Sequence, residues 1–92
     1  MRRLLVGDVT AYALHPQVGL RDEQFGALAY HYGNRRLTFL NDERLVGVVR
    51  TIGEYDDAEV ALDAAGVPAS ARPTYLAALA RLQQSEVLVA RD

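Results

Sequence analysis

Cysteine, tryptophan and lysine are absent from the 92 residues, and only two histidines occur, His15 and His31. Without cysteine neither a disulfide framework nor a thiolate metal site can form, which suits a reducing, cytoplasmic compartment. The two histidines are too few and too isolated to build a histidine metal cluster by themselves, so neither a metal nor an organic cofactor is expected. No uncharged apolar stretch approaches the roughly 20 residues that a membrane-spanning helix needs. The apolar run of Met1-Arg2-Arg3-Leu4-Leu5-Val6 stops at Gly7-Asp8, too soon for the roughly 7–15 residues of a signal-peptide h-region. A soluble protein with no membrane partner follows. With no lysine and a formal net charge of -2, the chain also lacks the clustered cationic surface on which phosphate binding depends, which argues against a nucleic-acid partner.

Catalytic signatures are equally scarce. Ser70 and Ser85 sit near expected helix ends, where capping accounts for a hydroxyl, and no nucleophile, base and orienting group converge. His15 precedes Pro16 at a strand entry, His31 lies in a hairpin, and neither reads as a general base. The acidic groups Asp42-Glu43 and Asp56-Asp57-Glu59 fall at helix starts, where the backbone dipole favours them. Gly33 and Gly53 are isolated, so no phosphate-cradling loop is present. The chain is therefore not expected to be an enzyme.

What is present is a change of hydrophobic period near Leu40, from strand-like to helical, with half of the residues hydrophobic. A chain this short buries about two-thirds of its unfolded surface and has room for one small core, so residues 1–92 read as a single domain. Phe25–Tyr32 and Arg35–Leu40 form a hairpin, with Gly33-Asn34 as a two-residue turn. That register sets Tyr30 opposite Leu37 and Leu28 opposite Phe39 on one face, predicted to be the core face. The other face, with Ala27 and Leu40, Ala29 and Thr38, His31 and Arg36, is small or polar and predicted to face water. On this reading Phe39→Ala costs about 3–5 kcal/mol. Val18 and Leu20 alternate with Gln17, Gly19 and Arg21 in a preceding strand that Pro16 can only begin, which completes a three-stranded meander.

Three helices follow. Asn41 caps the first, whose apolar stripe is Leu45, Val46, Val48, Val49 and Ile52, ending near Gly53. Asp56 and Glu59 have capping-box spacing for a second helix, which Gly66 and Pro68 close. A third begins near Ser70, tolerates Pro73 in its first turn and carries Tyr75, Leu76, Leu79 and Leu82 at helical spacing. Val87-Leu88-Val89 is expected to dock on the core. The fold class is α+β, a three-stranded antiparallel sheet followed by three helices. A meander ending at Arg35–Leu40 leaves one row of backbone groups unpaired, and a third helix beside it would make a groove for an extended peptide. Arg35-Arg36 is the compact basic feature of the strands, as compatible with a solvated edge as with binding.

The order of these elements resembles the winged helix-turn-helix domains of the PqqD-like class, which recognise ribosomally made, modified peptides. Within that class His15-Pro16-Gln17-Val18, Phe25-Gly26-Ala27-Leu28 and Arg35-Arg36-Leu37-Thr38-Phe39-Leu40 look like the peptide chaperones of the mycofactocin system. The resemblance implies a domain that performs no chemistry, binds the leader of a precursor peptide and presents it to a radical-SAM maturase. The leader would add as a strand to Arg35, Arg36, Leu37, Thr38, Phe39 and Leu40, mostly through backbone contacts. Side-chain contacts would come from Arg72, Tyr75, Leu76 and Leu79 of the third helix, Leu76 ahead of Tyr75. The alternative is a DNA-binding winged helix-turn-helix regulator with the third helix in the major groove; its cations there are Arg72 and Arg81.

Overall fold

A computed structural model describes residues 10–91 of the chain. Its order is β1 (Ala11–Leu14), β2 (Val18–Glu23), β3 (Gly26–His31), β4 (Leu37–Leu40), α1 (Glu43–Thr51), α2 (Ala58–Ala64), α3 (Arg72–Gln84) and β5 (Leu88–Arg91). Short 3₁₀ turns, Ile52–Glu54 and Ala69–Ala71, precede α2 and α3. The antiparallel meander β2-β3-β4 and the three helices are as expected. The strands do not all come first, however. β5 returns to pair with β1, with Tyr12 opposite Ala90 and Leu14 opposite Leu88. Leu88 and Val87 are buried, so the chain end does dock on the core.

The β3–β4 register is the one the sequence predicts: Ala27 opposite Leu40, Leu28 opposite Phe39, Ala29 opposite Thr38 and Tyr30 opposite Leu37. The faces are reversed. Ala27, Ala29, His31 and Leu40 are buried, whereas Leu37 is 68% and Phe39 55% exposed. The sequence reading took the bulkier face for the core. The small face wins because alanines let α1 approach the β3 backbone, while Val46, Val48, Val49 and Ile52 from α1 and its extension supply the volume. Alanine also loses no side-chain entropy on burial.

The turn is longer than predicted as well. His31 N donates to the Arg36 carbonyl and Arg35 N donates to the His31 carbonyl, so four residues lie outside the ladder rather than two. Gly33 does not take a left-handed conformation; Arg35 does, at φ 66°. The tip is held by side chains, since His31 Nδ1 accepts from both Gly33 N and Asn34 N at 3.0 Å and Asn34 Oδ1 accepts from Arg36 N.

Helix starts are displaced by one residue from their predicted caps. Asp42, not Asn41, caps α1 by accepting from Arg44 N and Leu45 N, and Asp57, not Asp56, caps α2 by accepting from Val60 N. In each case the aspartate immediately before the first helical turn satisfies donors that have no intrahelical partner. Gly53 is not a left-handed terminator, because Ile52–Glu54 continues α1 as a 3₁₀ turn. Gly66 does end α2, at φ 74°, with Gly66 N donating to the Asp63 carbonyl and Val67 N to the Leu62 carbonyl. This is the Schellman pattern of a helix C-terminus. The same pair of bonds ends α3 around Glu86, which takes φ 67° without being glycine.

Candidate functional site

β4 is the last strand of its sheet. The bond from His31 N to the Arg36 carbonyl fixes the phase of the ladder, and alternation along an antiparallel pair then directs the N–H and C=O of Thr38 and Leu40 toward β3. The N–H and C=O of Leu37 and Phe39 point the other way, to the open edge. Within the expected edge Arg35–Leu40, Leu37 and Phe39 are therefore the positions whose main chain an added strand can meet, and Thr38 and Leu40 are not.

Beside this edge runs a groove of about 340 Å³, with Thr38, Phe39, Leu40 and Asn41 on one wall, Ala78, Arg81 and Leu82 of α3 and its C-terminal cap Ser85 on the other, and Leu45 of α1 between them. A smaller depression continues it past Leu45 and Ala78 to Tyr75, Thr74 and Asp42. The structure thus brings the strand and third helix together, but with a different helix face from the one read in the sequence. Leu79 is fully buried, Leu76 packs against the core, and neither lines the groove or its extension. Arg72 is turned away, held by Asp63, by Glu59 at 3.3 Å and by the Val67 carbonyl. Tyr75 lies at the groove's extension, donating its hydroxyl to Asp42 Oδ2 at 2.9 Å. Burial, and then that hydrogen bond, raise the Tyr75 pKa above its ordinary value of 10.0. Of Leu76 and Tyr75, Tyr75 lines the groove's extension and Leu76 does not. Ala78, Arg81 and Ser85, at spacings of three and four, form the stripe that the sequence reading missed. The signal for it was the position of Leu79 and Leu82: once these define the buried stripe, the adjacent polar and small stripe must border the sheet edge.

Charge is unevenly shared among the arginines. Arg21 pairs with Glu23, Arg50 with Asp22, and Arg72 with Glu59 and Asp63. Among the described residues Arg81, in the groove, and Arg35 and Arg36, just before β4, have no carboxylate partner. Asp42, at the groove's extension, is already engaged by Arg44 N, Leu45 N and Tyr75.

On the other side of β3 the two histidines meet, contrary to the expectation that they are isolated. Their ring centroids are 4.3 Å apart, and Glu86 Oε1 is 3.9 Å from His31 Nε2, which is buried without a hydrogen-bond partner. The three residues have the proximity of a metal site, but their hydrogen bonds oppose one. Nδ1 of His31 accepts two backbone N–H groups and Nδ1 of His15 accepts Gln17 N at 3.0 Å. A neutral imidazole carries one N–H and one lone pair, so each ring must hold its proton on Nε2, the atom a metal would need free. His31 thus fixes the β3–β4 loop and His15 the turn before β2, and Glu86 faces the His31 N–H.

Among the described residues no helix is long and apolar enough to cross a membrane. The peptide chaperone MftB family matches residues 11–89. Relatives named "Peptide chaperone MftB" are 45% identical in Mycobacterium tuberculosis over 81 residues, covering 88% of this chain and 74% of theirs. The one in Mycolicibacterium smegmatis is 47% identical over 79 residues, covering 86% and 78%. No solved structure matches, so the winged helix-turn-helix likeness rests on the resemblance of the sequence alone.

Proposed function

The chain belongs to the peptide chaperone MftB family, and from that premise we propose that it captures the leader of a ribosomally made precursor peptide as an added strand on β4 and presents the peptide to a radical-SAM maturase. The observation that carries the proposal is the open edge of β4, with the N–H and C=O of Leu37 and Phe39 directed outward beside a groove walled by α3. Strand addition to such an edge draws affinity from main-chain hydrogen bonds and specificity from alternate side chains.

Magnitudes say how the two must share the work. Both groups of Leu37 and of Phe39 give about four new hydrogen bonds, or roughly 4 kcal/mol at about 1 kcal/mol each. A micromolar complex needs about 8 kcal/mol after the peptide has been ordered. Side chains in the groove and on the outer sheet face must supply the remainder. The domain itself performs no chemistry in this account and needs no cofactor. It raises the effective concentration of the modifiable end at the maturase, turning a bimolecular capture into a nearly intramolecular one.

Anisotropy titration of a labelled leader peptide tests this, with a labelled DNA duplex as the competing ligand. The leader should bind and the duplex should not compete. Phe39→Pro, which deletes an outward N–H and spares the β3 ladder, should weaken binding more than Phe39→Ala. Equal losses for the two variants would speak against strand addition.

A further inference from the structure

The edge and the groove also specify what kind of strand they accept. Resting on the reading of β4 as a peptide-binding edge, we infer that its occupant is an acidic, alternating strand, with carboxylate side chains turned toward α3 and apolar side chains turned to the outer face of the sheet.

An added strand continues the pleat of β4, so successive side chains point to opposite faces. Those on the inner face enter the groove, where Arg81 stands with Ser85 and Thr38. Arg81 has no carboxylate partner among the described residues, nor do Arg35 and Arg36 just before β4, whereas Arg21, Arg50 and Arg72 are paired and Arg91 donates to carbonyls. The nearby carboxylate, Asp42, has its oxygens committed to backbone and tyrosine donors. The groove thus offers one cation, Arg81, and no free anion, in a protein whose net charge is -2. Asp or Glu is the side chain that completes it, through a charge-assisted bond to a planar guanidinium.

The alternate side chains meet different chemistry. Leu37 and Phe39 are 68% and 55% exposed at the very edge, with Leu28 and Tyr30 behind them as cross-strand neighbours. A branched or aromatic side chain on the added strand would cover Leu37 and Phe39 as a lateral neighbour does within a sheet. A phosphate backbone could satisfy the arginines but would set charge against this apolar rim, and an all-apolar strand would leave Arg81 buried without a partner.

The test uses the full chain and three synthetic peptides: one alternating Glu and Val, the same peptide with Gln for Glu, and a block version with the Glu and Val residues segregated. The alternating acidic peptide should bind with amide shifts at Leu37, Phe39, Ala78 and Ser85. The Gln peptide and the block peptide should each bind at least tenfold more weakly. Arg81→Gln, an exposed substitution checked by circular dichroism, should remove most of the preference for Glu over Gln, and Arg36→Gln part of it. Equal affinity for the Glu and Gln peptides, or a preference untouched by both arginine variants, overturns the inference. If the genuine leader still maps to the groove in that case, the capture proposal stands without it. Should neither the leader nor any synthetic peptide map there, or should a second copy of the chain or a DNA duplex occupy the edge instead, both fall together.

Discussion

Leu40 and Phe39 are neighbours in one strand, and replacing each by alanine should have opposite consequences. Leu40 is 3% exposed on the inner face, opposite the fully buried Ala27. Leu40→Ala removes a buried isobutyl group and leaves a void between sheet and helices, a combination that costs about 3 kcal/mol. Phe39 is 55% exposed. Fully burying such a ring is worth roughly 2–3 kcal/mol, so with under half of it covered and no enclosed void created, Phe39→Ala costs about 1 kcal/mol. Domains of this size lose roughly 4–8 °C in Tm per kcal/mol. Thermal denaturation should therefore show a fall of about 12–24 °C for Leu40→Ala and about 4–8 °C for Phe39→Ala. The order should reverse in leader binding measured at a temperature where both are folded. If Phe39→Ala is as destabilising as Leu40→Ala, the assignment of faces is wrong, and with it the exposed rim.

Gly66→Ala should cost about 1 kcal/mol by denaturant unfolding, because φ 74° disfavours a Cβ even though nothing lies within 4 Å of it. Glu86→Gly should do the reverse at the matching end of α3, where a non-glycine residue holds φ 67°; a gain of roughly 0.5–1 kcal/mol is expected, and a loss would mean that the Glu86 carboxylate near His31 matters more than the strained backbone. Asp42→Ala should lose about 1 kcal/mol for the α1 cap and also free the Tyr75 hydroxyl. The Tyr75 pKa is raised in the folded state, so its contribution to stability is intact below about pH 10 and is lost as pH climbs through the folded value; stability followed into the alkaline range should fall less steeply in Tyr75→Phe than in the parent.

The register of the hairpin was legible because a two-residue period across a short loop leaves few alignments, and Ala27–Leu40 through Tyr30–Leu37 came out as read. Its burial was not, since both faces are apolar enough to be inside. Amphipathicity ranks Phe39 above Ala29, but how closely α1 can approach β3 is a tertiary matter that decides for alanine. The loop misled for a related reason: Gly33-Asn34 has the composition of a tight turn, yet His31 Nδ1 gathers the Gly33 and Asn34 N–H groups and moves the left-handed residue to Arg35. Along α3, the alanines at 77, 78 and 80 blur the helical stripe, so Leu76 and Leu79 passed for groove residues when they serve the core. The β1–β5 pairing joins residues nearly a whole chain apart through two four-residue strands, and nothing in so short a run announces a partner.

Amide hydrogen exchange at Leu37 and Phe39, with and without the leader peptide, tests strand capture on β4 most directly. In the free domain these amides should exchange fast while Thr38 and Leu40, bonded to β3, are protected. A saturating leader peptide should slow Leu37 and Phe39 and leave Thr38 and Leu40 nearly unchanged. Binding that protects amides of α1 or α2 while Leu37 and Phe39 continue to exchange freely would contradict the account.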